Sequence, residues 1–280
     1  MFNIVNIKSW FMQQKIVPNK SFGQNFLINH NCLDVISYYV YSICDSCSIV
    51  IEYGAGTGML TFKLLKHRLN VHAVELDTKL VYYLAKNLQL YINSNKLIVY
   101  EFNVKYFNNL LFRQQIKNLV LCGNLPYQLS SIVFDFLLVN HSKIKGAVFV
   151  FQKEVADRII SSPNSKNYGV LSVLLQSKFL LSKVCEIDRS YFWPSPRVDS
   201  AVISFSPIYS YKTLCVSWSF FRNIVKIAFL HRRKTIKNAL KSFKNLDVIL
   251  SKLKINPKLR AENLSINNFI ILSNNLYNDI

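Results

Sequence analysis

The chain has 280 residues, 51% hydrophobic and 18% charged, which is too apolar for a disordered polymer and enough for one large domain or a larger domain with an appendage. Its 34 Lys and Arg outnumber its 15 Asp and Glu, and the formal charge of +19 points to a polyanionic partner, either nucleic acid or an anionic membrane surface. The longest apolar run, 132–139, is broken by Asp135 and falls far short of the roughly 18 residues of a membrane span, and MFNIVNIKSWFMQQK has neither a secretory apolar core nor presequence arginines.

In chain order, the first feature is a lone C-x-x-C, Cys44 to Cys47. Without a second Cys or His pair at zinc-finger spacing it predicts no metal site, and six cysteines in a chain this long fit a reducing, cytoplasmic compartment rather than a disulfide scaffold. From about Ile49 to Phe205, short β-branched runs alternate with amphipathic stretches, the pattern of a mostly parallel α/β sheet with helices on both faces. Strands are expected at 49–53, 71–75, 97–101, 119–123 and 147–152, with 183–188 and 201–205 as a final pair. Helices are expected at 79–90, 131–138 and 153–160. Beyond Pro207 and a Tyr-containing stretch the strand signals stop, and 220–230, 234–243, 246–253 and 266–273 read as short helices. The division is therefore an α/β domain over 1–207 and a small, basic helical domain over 208–280.

Three of the seven glycines stand in one pentapeptide, Gly54-Ala-Gly56-Thr-Gly58, between the first expected strand and a helix. A glycine turn there lets backbone approach a ligand at the carboxyl edge of an open sheet. A dinucleotide fingerprint needs its third glycine at position 59, which is Met59, whereas Glu52-x-Gly54-x-Gly56-x-Gly58 resembles the S-adenosylmethionine loop of class I methyltransferases. Glu75 ends the second strand, where an acid can bind both ribose hydroxyls of an adenosyl group, and Asp77 suits a helix cap. Directly after the fourth strand comes Gly123-Asn124-Leu125-Pro126-Tyr127. An exocyclic adenine amine is a poor nucleophile because its lone pair is delocalised into the ring. Acceptors on both N–H bonds, the Asn124 side-chain oxygen and the Pro126 carbonyl, would draw that nitrogen towards sp³, while Tyr127 offers a ring for an extruded base.

Motifs continue along most of the chain. They include Lys20-Ser-Phe-Gly-Gln-Asn25-Phe-Leu27, Phe151-Gln-Lys-Glu-Val-Ala-Asp-Arg158, Tyr168-Gly-Val-Leu-Ser172, Phe192-Trp-Pro-Ser-Pro-Arg-Val-Asp-Ser200, His231-Arg-Arg-Lys-Thr-Ile236 and Arg260-Ala-Glu-Asn-Leu-Ser265. Together with the glycine turn, Val74-Glu75-Leu76-Asp77 and Asn124-Leu-Pro-Tyr127, this set resembles the ribosomal RNA adenine N6-dimethyltransferases, which modify two adjacent adenines near the 3′ end of small-subunit rRNA. The resemblance implies a Rossmann-like class I methyltransferase sheet, S-adenosyl-L-methionine as cofactor, and rRNA or an immature small ribosomal subunit as partner of a monomeric enzyme. It implies cofactor contacts at Asn25, Leu27, Gly54, Gly56, Glu75, Asn103 and Asn124. It further implies base handling by Asn124, Pro126 and Tyr127, with Phe192 covering the other face of the base. Three positions depart from the family pattern: Asn103 replaces the usual Asp, Ala55 replaces Pro, and Trp193 is bulkier than the usual small residue and is expected to narrow the mouth of the site. The basic run Arg232, Arg233, Lys234 and Lys237 is expected to contact phosphates. Two alternatives stay open, a large-subunit rRNA adenine methyltransferase of the macrolide-resistance type and a non-catalytic RNA-binding assembly factor on the same fold.

Overall fold

The structure is a computed structural model that describes residues 4–107, 118–208 and 216–279. Its strands are β1 (Phe26–Leu27), β2 (Ile49–Tyr53), β3 (Val71–Glu75), β4 (Leu97–Glu101), β5 (Leu119–Asn124), β6 (Ile144–Gln152), β7 (Phe179–Ile187), β8 (Phe192–Trp193) and β9 (Ser200–Pro207). Seven of them make one sheet in the order β4-β3-β2-β5-β6-β9-β7, and β1 pairs with β8 in a separate ribbon. The five strands from β4 to β6 run parallel, and β9 lies antiparallel to β6. Burial explains why the central strands are so apolar: β5 is buried at every position but its last, while the edge strand β4 is buried only at its first residue and β7 only at its two ends.

The order contains a reversal. From β2 the chain builds outward through β3 to β4, then returns to lay β5 on the other side of β2. The carboxyl ends of β2 and β5 therefore flank a topological switch point, where open α/β sheets leave a crevice for ligands. Helix caps help to set the elements around it: Asn29 accepts from Cys32 N at the start of the helix His30–Ile43, and Asp77 accepts from Lys79 N at the start of Thr78–Asn87.

The differences from the sequence reading have identifiable causes. β7 starts at Phe179, four residues before the expected strand, and takes in the apolar Phe179-Leu-Leu181, whose middle residue is 69% exposed on this edge strand. The expected helix 234–243 is reduced to Ile236–Ala239, its start set by Thr235, which accepts from Asn238 N. Two helices ahead of the sheet, Ile4–Gln13 and His30–Ile43, lie outside the strand-and-helix alternation that was read. A ten-residue helix is too short to hold itself together in water. This one is held by Ile7 and Phe11, which sit in the main core at 0% and 3% exposure, and such a buried side chain contributes ~1.5–3 kcal/mol.

The chain divides into two compact units, Met1–Ala156 with Ser182–Pro207, and Asp157–Leu181 with Ile208–Ile280. The second unit thus takes in 157–181, a stretch the sequence reading grouped with the residues before 208. Hydrogen bonds account for it: the Tyr168 hydroxyl donates to Leu264 O, and Asn164 N donates to Glu262 O. The core of this unit gathers Phe221, Ile224, Val225, Phe269 and Leu272 from the helices Trp218–Leu230 and Ile266–Tyr277. Among the described residues no helix is long and apolar enough to cross a membrane, and no cluster of His, Cys, Asp and Glu could hold a metal ion.

Candidate active site

A cavity of about 290 Å³ opens at the carboxyl edge of β2, β3 and β5, near the lower end of the ~300–1,000 Å³ of small-molecule sites. Its floor is the glycine turn after β2. Gly54 N and Ala55 N both donate to Val74 O on β3, at 2.8 and 3.2 Å. Gly56 has φ +57°, and a Cβ there would stand 3.1 Å from the Phe26 ring, so the turn has no room for a side chain on that flank.

Glu75, at the tip of β3, binds this turn directly. Gly56 N donates to its Oε2 at 2.7 Å, while Leu76 N and Asp77 N donate to Oε1 at 2.8 and 3.0 Å. Burial pushes the carboxyl pKa up, and these three backbone donors oppose the rise. With two bonds on Oε1 and one on Oε2, one acceptor position of this cavity-lining carboxylate is left for a ligand. Behind it, Glu52 on β2 is 1% exposed, and burial lifts its pKa to about 8, with the Glu75 charge adding to the rise and Thr61 opposing it.

Asn124 closes β5 on the far side of the crevice. Its Nδ2 donates to Asn25 O at 2.8 Å, and because a carbonyl can only accept, this bond fixes Oδ1 as the acceptor end of the amide. The loop that carries Asn25 is in turn fastened to two other elements and braced within itself. Gln24 Nε2 donates to Asp77 Oδ2 at 2.8 Å, Asn25 Nδ2 to Gly23 O at 3.2 Å, and Gln128 Nε2 to Ser21 O at 3.0 Å. Gly123, just before Asn124, could not be any other residue: a Cβ there would lie 2.3 Å from Tyr53 O on β2. The Pro126 carbonyl accepts from Leu129 N at 2.8 Å, which uses one of its lone pairs. The Leu125 carbonyl accepts none among the described residues.

A family model, ribosomal RNA adenine dimethylase, matches residues 17–278. The chain belongs to the ribosomal RNA adenine dimethylase family. Within this family, a Francisella tularensis subsp. novicida protein named ribosomal RNA small subunit methyltransferase A is 40% identical over 264 residues, which are 94% of this chain and 99% of that protein. Among solved structures, a dimethyladenosine transferase from Plasmodium falciparum matches with a TM-score of 0.73 and 29% identity, over 88% of this chain and 95% of its own. The 23S rRNA methyltransferase ErmE shares the fold, with a TM-score of 0.68 at 21% identity over 90% of this chain and all of the other.

The dimethylase fold brings most of the sequence-derived residues to one place. Asn25, Leu27, Gly54, Gly56, Glu75, Asn103, Asn124 and Pro126 all line the cavity. Asn103 follows β4, and its Oδ1 accepts from Lys105 N at 2.9 Å, so part of its acceptor capacity serves the local turn. The backbone of Tyr127 opens a 3-10 turn, while its side chain lies outside what the structure describes. Phe192, 4% exposed, pairs with Leu27 across the ribbon and is not among the described residues that line this cavity. Trp193 packs against Phe11 and Phe26 and is not among the described residues that line the cavity. Phe102 and Leu76, apolar wall residues 40% and 45% exposed, escaped the sequence reading; a large exposed apolar side chain beside each polar strand tip was the available signal.

In the second unit Arg232, Arg233 and Lys234 lie in a turn ahead of the helix Ile236–Ala239, and Lys237 lies on that helix. Arg232 is engaged, its Nε donating to Glu262 Oε2 at 2.9 Å and its terminal nitrogen to Lys166 O at 2.6 Å. Lys237 pairs with Asp247 at 2.7 Å. Arg233 and Lys234 are exposed and have no side-chain partner among the described residues, so they are the two of the four left open to phosphate.

Proposed function

We propose that the chain is an S-adenosylmethionine-dependent enzyme that methylates the N6 nitrogen of two adjacent adenines near the 3′ end of small-subunit rRNA, giving N6,N6-dimethyladenine during ribosome assembly. The observation that carries the proposal is the Asn124 amide, anchored through Nδ2 at the switch point so that its oxygen is presented where a ligand crevice lies. The residues present fit the cofactor: a glycine floor that a Cβ would fill, and a buried carboxylate with one acceptor position still open. Glu75 would hold the ribose and Asn103 the adenine edge, between the Phe102 and Leu76 walls. S-adenosylmethionine, when bound, supplies a methyl group on a sulfonium.

This chain's own part is to orient the amine. Asn124 Oδ1 takes one N–H, and the second acceptor comes from the Leu125-Pro126 main chain, where Pro126 O keeps one lone pair and Leu125 O both. Held this way the lone pair is directed at the methyl carbon, and positioning replaces a general base in the attack. After the first transfer a single N–H remains, so one acceptor is released and the base must be kept by stacking, with Tyr127 as the candidate ring, at ~1–3 kcal/mol per contact. Arg233 and Lys234 supply phosphate contacts. The enzyme acts as a monomer in the cytoplasm on an immature small subunit.

Mass spectrometry of digested small-subunit rRNA after incubation with enzyme and cofactor tests the reading. Dimethyladenine at two adjacent positions is expected, with no methylation by Asn124→Ala. Exclusive monomethyladenine at long times, or a product on large-subunit rRNA, overturns it.

A further inference from the structure

We infer that Phe11, on the helix Ile4–Gln13, is a positioning residue for the cofactor cavity, acting by holding Phe26 against the Gly56 turn. The helix lies ahead of residues 17–278, the span matched by the family model. Its aromatic side chains nevertheless reach the site. The Phe11 ring meets Phe26 at 5.8 Å between centroids and Trp193 edge-on at 5.0 Å, and Phe26 and Trp193 face each other at 6.1 Å. These three rings cover the β1–β8 ribbon on one side, and Lys8 Nζ stands 5.7 Å over the Trp193 ring.

Phe26 itself lines the cavity, and its ring edge lies 3.1–3.2 Å from where a Gly56 Cβ would stand. Gly56 N is the donor to Glu75 Oε2. A continuous line of contact therefore runs from Phe11 through the Phe26 ring and Gly56 to the carboxylate proposed to bind the ribose. Removing the Phe11 ring takes one of the two ring neighbours from Phe26 and leaves space into which its ring can turn, releasing the Gly56 turn. Dense interiors transmit such a loss along a short path. Trp193 belongs to the same unit, since it pairs with Phe26 in the ribbon register and is the second wall of the Phe11 slot.

The inference rests on the cofactor reading above, and calorimetric titration of S-adenosylmethionine separates the two: a wild-type chain that binds none refutes that reading. With wild-type binding in hand, Phe11→Ala is expected to raise the cofactor Kd, and the cofactor KM, about tenfold, with kcat at saturating cofactor and affinity for an rRNA fragment unchanged. Phe11→Leu, which refills most of the volume, should restore most of the affinity. Trp193→Ala should weaken binding too, and the double variant should fall short of the sum because both act through Phe26. Ile7→Ala provides the control, a fully buried residue of the same helix with no ring against Phe26. It should lower the Tm and leave the cofactor Kd in place. An unchanged Kd in a folded Phe11→Ala, or an equal loss in Ile7→Ala, overturns the inference.

Discussion

Glu52→Gln turns the charge balance beneath the site into a measurable stability difference. In the folded chain the Glu52 carboxyl has a pKa of about 8 against an ordinary 4.5, chiefly through burial. The folded state therefore binds a proton that the unfolded state has released between those two values. Stability from this group is fully present below pH 4.5 and declines as pH rises towards 8, at 1.36 kcal/mol per unit. Between pH 5 and pH 7.5 that slope amounts to roughly 3 kcal/mol, a large share of the ~5–15 kcal/mol that holds a domain together. Gln keeps the shape and cannot ionise, so the variant escapes the decline. Urea unfolding of both proteins at the two pH values, without cofactor, gives the comparison, and other titrating groups cancel in the difference. The variant should gain about 3 kcal/mol on wild type as pH rises through this window. A gap that stays constant with pH would mean Glu52 is charged in the folded chain, and the reasoning from its burial would fail.

Gly123→Ala should abolish methyl transfer and depress expression of folded protein, because its Cβ would collide with Tyr53 O at 2.3 Å; circular dichroism and a methylation assay check this. Asn103→Asp should bind S-adenosylmethionine as tightly or more tightly, since Asp retains the cap to Lys105 N and adds a charged acceptor; titration calorimetry decides, and weaker binding refutes the adenine contact. Arg233→Ala with Lys234→Ala should lower the slope of log affinity for rRNA against log salt by about 1.5. Arg232→Ala should move that slope less and lower the Tm of the chain more, because it leaves Glu262 and the Lys166 carbonyl without their partner.

The strands of the parallel half were legible because burial on both faces writes them as unbroken β-branched runs, and the turn and Asn124 because ligand chemistry falls at strand tips. The surroundings of Phe192 and Trp193 are less legible, for a different reason. A motif names both residues but not which face of a two-residue ribbon each one takes, and the ribbon turns Trp193 to a helix some 180 residues earlier in the chain. Arg232 shows the same limit. Its exposure and its neighbours in sequence suit phosphate, yet Glu262 and Lys166 O, which occupy it, are brought there by the fold alone.

The bond from Asn124 Nδ2 to Asn25 O has a consequence for how many of the folded molecules are competent at any instant. A primary amide with no anchor has two orientations about its last side-chain bond that differ little in shape, and they exchange an acceptor for a donor. One would greet the adenine N–H with oxygen, the other with a second N–H that repels it. The Asn25 carbonyl removes that ambiguity, and it lies 99 residues away, on a loop fastened at Ser21 and Gln24 as well. Whenever that loop lifts, the sheet and the Asn124 backbone can stay in place while the side chain samples its wrong-handed rotamer. The folded population therefore contains a subset that is intact by every measure of secondary structure and silent in the reaction, its size set by the opening equilibrium of the Ser21–Asn25 loop.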